Sequence, residues 1–279
     1  MPSIRTTATQ FDVRKLTEPD EFWQRTERML QQAADQDSQL IVFPEYFTVP
    51  WLLSHANLDF EKALVKFDDL KGEFHDRFAE YSKRYQTIIV AGSAPMQLRV
   101  RRVNRSFTYF PDGRRTEQDK WHVNRAEGEQ WKISTGRHFI NFWEWRGAGL
   151  GVAIGYDIEF PHYAEDLTEQ DDDVILVPAC TRFKNGYWRI HHCSQARAVE
   201  NQSYVVVSCL IGHDPDHPQL QNLDGRAGFF SPCDKEFPDD GILKLGEFGQ
   251  ESIITYNLDI RLLQQVRVDG TALNRRDIL

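Results

Sequence analysis

A chain of 279 residues, 41% hydrophobic and 27% charged, has an ordinary globular composition and is long enough to bury a sizeable core. A net charge of −9 argues against nucleic-acid binding, which depends on clustered Lys and Arg to neutralise phosphates. No run approaches the roughly 18 consecutive apolar residues of a membrane span. The opening Met1-Pro2-Ser3-Ile4-Arg5 lacks the apolar stretch of a signal peptide. A cytoplasmic protein forming a single domain over residues 1–279 is expected, with no nucleic-acid and no membrane partner. Cys180, Cys193, Cys209 and Cys233 are far apart and form no C-x-x-C pair, so free thiols and no metal are expected.

Strand-like and helix-like segments alternate along the chain. Ile4 to Phe11 alternates as a strand. Thr17, with Asp20 three residues on and Pro19 between, marks a helix start, and Phe22, Met29, Leu30 and Ala33 share one face of that helix. Gln39 to Phe43 is a short apolar run ended by Pro44, as a buried strand would be. Phe74, Phe78 and Tyr81 repeat at helical spacing, and the apolar run Thr87 to Ala91 closes at Gly92. Arg99, Arg101, Arg102 and Arg105 interleave with Leu98, Val100 and Val103 and read as a solvated strand face.

Pro111-Asp112-Gly113 between Ser106–Phe110 and Thr116–Trp121 predicts a hairpin. A second hairpin pairs Phe139–Trp145 with Gly149–Ile154 across Gly147. A helix from about Pro161, a strand at Val174–Val177, a long helix from about Tyr187 to Asn201 and a strand at Tyr204–Ser208 follow. Loops are expected from Gly212 to Gly249, then a strand at Ser252–Leu258 and a helix near Asp259. Such an order means an α/β layered protein with mixed sheets. The pattern leaves open a barrel, a doubly wound sheet or a sandwich.

Three strand-like segments deliver polar residues at their C-terminal ends, where α/β folds place their sites. Leu40–Pro44 delivers Glu45, Thr116–Asp119 delivers Lys120, and Gly149–Ile154 delivers Gly155-Tyr156-Asp157. Ile41-Val42-Phe43-Pro44-Glu45, Asp119-Lys120-Trp121-His122 and Gly151 to Pro161 resemble the three signature blocks of the nitrilase superfamily, carbon–nitrogen hydrolases. Val90-Ala91-Gly92-Ser93, Asn104, Phe110-Pro111-Asp112-Gly113 and Ala196 to Asn201 extend the resemblance over nearly the whole chain.

The resemblance implies an α/β fold that is a four-layer αββα sandwich, pairing through its helical layers into homodimers or larger homo-oligomers. It implies no cofactor and no metal. It also implies hydrolysis of a small amide or related C–N substrate through a Glu-Lys-Cys site and a covalent thioester. Glu45 would be the base and Lys120, with the backbone N–H of Tyr156, the oxyanion stabiliser. A second glutamate is implied shortly after the lysine: Glu127, with Glu129 as the fallback. Tyr46 and Cys180 are expected to line the substrate pocket. The loops Tyr46–Leu53 and Thr181–Trp188, rich in aromatics, would shape it. Leu273–Asp277 resembles the tail of a bacterial branch whose members sometimes carry an added acetyltransferase domain; no such domain is expected within these 279 residues.

The third block departs from the family at one place. Where it normally reads Cys-Tyr-Asp, this chain has Gly155-Tyr156-Asp157. Glycine has no side chain and cannot attack a carbonyl. Two histories fit: a cysteine-to-glycine substitution in an enzyme, leaving a pocket that binds substrate without cutting it, or a natural pseudoenzyme that binds a ligand or partner. A third reading moves the nucleophile to Cys180, at the end of the next strand.

Overall fold

The computed structural model describes residues 3–55 and 59–278; Met1 and Pro2, part of the polar opening stretch, lie outside them. The first half of the chain runs β1 (Ser3–Asp12), α1 (Pro19–Ala34), β2 (Leu40–Val42), α2 (Val49–Leu53), α3 (Phe60–Tyr85), β3 (Ile88–Leu98), β4 (Arg101–Tyr109) and β5 (Arg115–Asp119). A short α4 (Arg125–Glu129) leads to β6 (Phe142–Trp145), β7 (Ala148–Val152), α5 (Pro161–Thr168), β8 (Val174–Cys180), α6 (Phe183–Glu200) and β9 (Tyr204–Ile211). The chain ends with β10 (Gly228–Phe230), β11 (Ile242–Leu245), β12 (Ser252–Asp259), α7 (Ile260–Asp269) and α8 (Asn274–Ile278).

The strands form two halves. One is ordered β5-β4-β3-β2-β1-β12 and the other β6-β7-β8-β9-β10-β11. They join where Gln10–Asp12 of β1 pair in parallel with Cys209–Ile211 of β9. Alternation along each strand explains why the halves face each other, since successive side chains point to opposite faces. Ile41 and Phe43 pack with Phe74 and Phe78 of α3. Leu40 and Val42 point the other way, into a core shared with Leu150, Val174, Leu176 and Val206 of the second half. There Ile175, Val177, Val205 and Val207 turn outward against Tyr163 and Leu167 of α5 and Ile190 of α6. Three hydrophobic cores therefore separate four layers, α, β, β and α. Each fully buried Leu, Ile or Phe adds about 1.5–3 kcal/mol.

Several local expectations are corrected. α1 begins at Pro19, and Thr17 does not cap it: its N–H and hydroxyl donate to the Glu21 carboxylate at 3.2 and 3.3 Å. β3 does not end at Gly92 but runs through it, with a register shift against β4 between Val90 and Ser93. Of the arginine cluster, Arg105 is not solvated. It is buried and paired to Asp119 at 2.5 Å and Glu117 at 2.6 Å. The stretch expected to be mostly loop also holds β10 and β11, strands of three and four residues. Among the described residues, no helix is long and apolar enough to cross a membrane.

Candidate active site

Both halves of the sandwich supply groups to one cavity. Pro44 stops β2 after Phe43, whose N–H still donates to the Val90 carbonyl at 2.9 Å. The chain then turns at Glu45-Tyr46, and Tyr46 adopts a left-handed φ of 55°. That is a costly conformation for a bulky residue, and it is held from both sides. The Tyr46 N–H donates to Ser93 Oγ at 2.9 Å and its hydroxyl to Glu127 Oε1 at 2.6 Å. Gly92 makes the turn possible. A Cβ there would stand 2.7 Å from Phe47 Cβ and overlap the Pro44 carbonyl, so the bulge in β3 must be glycine.

Lys120 follows β5, anchored by its N–H to the Asn104 carbonyl at 2.9 Å. Its ammonium donates to Glu45 Oε1 and Glu127 Oε2, each at 2.7 Å. Glu127 sits on α4 in a reciprocal capping box. Its N–H donates to Asn124 Oδ1 at 3.1 Å, and the Asn124 N–H donates to Glu127 Oε2 at 3.0 Å. Of the two candidate glutamates, Glu127 has a side chain 2% exposed, whereas Glu129 is 61% exposed and pairs with Arg125. Asn104 Nδ2 donates to Glu45 Oε1 at 2.9 Å.

From the second half come Gly155 and Cys180. Gly155 opens a 3₁₀ turn, Gly155–Glu159, after the two residues that follow the end of β7, with φ of 48°. Asp157 in that turn is fully buried and accepts the backbone N–H groups of Trp121 and His122, the latter at 2.7 Å. The turn and the strand end bearing Lys120 are thus tied together. Cys180 ends β8, and its backbone N–H donates to Glu45 Oε2 at 3.0 Å. A Cβ at residue 155 would lie 2.8 Å from Glu45 Cδ and overlap Glu45 Oε2. The carboxylate occupies the space into which any side chain at 155 would begin.

Two carboxylates and one ammonium share this buried site, and the charges follow from that. Burial pushes the Glu45 carboxyl up to about 7; Lys120 opposes the rise and Glu127 adds to it. Burial disfavours the Lys120 ammonium, yet Glu127 and Glu45 outweigh it and hold its pKa above the ordinary lysine value. Burial, with Glu45 and Glu127 nearby, pushes the Cys180 thiol well above the usual range. A thiol kept protonated is a poor nucleophile.

The cavity above these groups measures about 450 Å³. Glu45, Tyr46, Lys120, Glu127, Tyr156 and Cys180 all line it, so every residue expected in the site except Gly155 faces the space. Of the loop aromatics, Phe47 and Trp51 pack instead in the core beneath α1 and α3, and Phe183 and Trp188 are half exposed. Trp131, which sequence reasoning missed, lines the cavity and meets Tyr46 edge-on at 4.9 Å. Arg182 and Arg189 at the rim were missed too, and nothing local distinguishes them from solvated charges. Asn124 was missed although its signal is present: Asn124-Arg125-Ala126-Glu127 spells a capping box. Among the described residues, no group of three or more His, Cys, Asp or Glu is arranged to hold a metal ion.

Comparison with known proteins gives a consistent result. The family model for carbon-nitrogen hydrolase matches residues 5–266. The probable hydrolase YhcX of Bacillus subtilis is 29% identical over 277 residues, 98% of this chain and 53% of that protein. The chain therefore spans about half the length of that relative. The omega-amidase YafV of Yersinia enterocolitica is 31% identical over 189 residues, 67% of each chain. The crystal structure of a CN-hydrolase superfamily protein from Xanthomonas campestris superposes with a TM-score of 0.78 at 21% identity, covering 96% of this chain and 94% of that one.

Proposed function

The chain belongs to the carbon–nitrogen hydrolase family, and from that premise we propose that its cavity binds a small amide or related C–N compound at a site built for acyl transfer, with residue 155 as the position of the missing nucleophile. One observation carries this reading. Glu45, Lys120 and Glu127 form a closed, buried hydrogen-bonded set at the floor of a cavity, directly beside Gly155. Isolated buried charge is costly, so the set is best understood as machinery.

The roles follow from the chemistry. An amide carbon is a poor electrophile, and a nucleophilic enzyme divides its hydrolysis into acylation and deacylation. Glu45, with a pKa near neutrality, suits a base that takes a proton from a nucleophile and returns it to the departing amine. Lys120 remains an ammonium and can stabilise an oxyanion. Glu127 fixes the lysine without touching the reacting carbon. With glycine at 155 the attacking atom is absent, and the expected outcome is a bound and uncut amide. The omega-amidase likeness supports amides over nitriles.

The test is Gly155→Cys, assayed for ammonia release from a panel of amides, carbamoyl compounds and nitriles. Recovery of turnover supports an enzyme lineage interrupted at one residue. A folded variant that is inactive on the whole panel counts against it. The alternative, a natural ligand-binding protein on the same fold, is favoured by the way the Glu45 carboxylate has closed over Gly155. Tight calorimetric binding by the unaltered chain, together with an inactive Gly155→Cys, would select that alternative.

A further inference from the structure

We propose that this chain hydrolyses activated carboxylic esters by direct attack of water, with the Glu45 carboxylate standing over Gly155 as the general base. The inference rests on the reading above that residue 155 is the vacant nucleophile position and that the cavity is the ligand site.

Glu45 divides its two oxygens between different tasks. Oε1 is taken up by Lys120 at 2.7 Å and Asn104 at 2.9 Å. Oε2 receives one hydrogen bond, from the Cys180 N–H at 3.0 Å, and a carboxylate oxygen can accept more than one. Oε2 is also the atom that fills the Cβ position of residue 155. In a cysteine-bearing site a thiol would separate the carboxylate from an acyl carbon. Here no side chain intervenes. A water molecule takes up about 30 Å³, a small part of the 450 Å³ cavity that Glu45 lines, and can hydrogen-bond the carboxylate from that cavity.

The remaining parts suit one displacement. As the water oxygen bonds to the acyl carbon, its proton passes to Glu45 Oε2 and the carbonyl electron pair moves onto oxygen. That oxyanion meets the Lys120 ammonium and the N–H of Tyr156, a first-turn donor of the Gly155–Glu159 segment with no acceptor inside that turn. Collapse breaks the ester C–O bond, and the departing alkoxide or phenoxide takes the proton back from Glu45. A carboxylic acid and an alcohol result, with no change of oxidation state and no co-reactant beyond water. Esters suit this route because their oxygen leaving groups depart without prior protonation. An amine must be protonated first, and an amide carbonyl is less electrophilic.

The groups facing Glu45 restrict its pH response. Lys120 after β5 keeps its proton, as do the Cys180 thiol at the end of β8 and the Tyr46 phenol, whose pKa values are all raised; Glu127 on α4 completes the set. The experiment uses the unaltered chain with 4-nitrophenyl acetate and 4-nitrophenyl butyrate. The expected result is hydrolysis on the order of 10²-fold above buffer, rising with pH through an inflection near 7. No stoichiometric burst and no acyl adduct by intact mass are expected. Glu45→Gln should return the rate to buffer level. Glu45→Asp, which keeps the charge but withdraws it from Gly155, should do the same while remaining folded by circular dichroism. A rate equal to buffer, a burst with an acylated protein, or full activity in folded Glu45→Asp would overturn the proposal. Calorimetric titration with acetamide and butyramide separates the two failures. Amide binding without ester hydrolysis defeats this inference alone, whereas absence of both defeats the reading beneath it as well.

Discussion

Gly155 combines two properties that are usually considered separately, a left-handed backbone and a neighbour already in the Cβ position. Gly155→Ala adds a side chain with no chemistry, so it isolates the cost. A non-glycine residue in that region costs on the order of 1–3 kcal/mol, and displacing Glu45 from Lys120, Asn104 and Cys180 adds to it. Denaturant unfolding should show a loss of about 2 kcal/mol or more; an unchanged midpoint would mean that Glu45 moves aside freely. Glu45 makes a second prediction at this scale. Its pKa lies above the ordinary value of 4.5, near 7, so the folded state holds the proton more tightly than the unfolded chain. The stability this contributes is complete below the ordinary value and is lost as pH rises through about 7. The drop in Tm between about pH 5 and about pH 8 should therefore shrink in Glu45→Gln. A drop as large as in the parent would place the linkage elsewhere.

At the level of elements, strand ends and a single-turn helix aim the functional groups. α4 has only five residues and depends on its cap. Asn124→Ala removes the acceptor of the Glu127 N–H, at a cost of about 1 kcal/mol. It should also loosen the carboxylate that holds Lys120, so ligand affinity by calorimetry should fall by more than the global stability does. The same elements show what the sequence made legible. Short continuous apolar runs marked β2, β8 and β9 because each lies between two apolar layers and is buried on both faces. The blocks ending in Glu45, Lys120 and Gly155 were visible because each follows a strand-like segment and the three together, in order, resemble the family signature. The bulge at Gly92 was not visible, since the need for glycine comes from Pro44 and Phe47, nearly 50 positions away in the chain. β10 and β11 are too short to show a period. The overlap of Glu45 with residue 155 is a distance between the two halves, which no local pattern carries.

At the level of the whole molecule, the outer helical layers carry apolar surface that the three cores leave uncovered. Phe183 and Trp188 of α6 are 50% and 43% exposed. Scattered apolar surface is ordinary, but two large aromatics on one helix suit the pairing through helical layers implied by the family resemblance. We propose a homodimer formed across this layer. Light scattering should give twice the chain mass, and Trp188→Glu should shift it towards the monomer. A parent chain that is already monomeric at assay concentrations would refute the proposal.

The join between the two halves has a consequence for how ligands act. β1 and β9 meet over three residues only, while Glu45 reaches from β2 to the backbone at the end of β8 and Asp157 reaches back to the segment after β5. The cavity thus straddles a seam. A molecule held there grips both sides at once, like a rivet through two plates, and prising the plates apart must first expel it. Occupancy would then slow hydrogen exchange along the central strands, far from any atom the ligand touches.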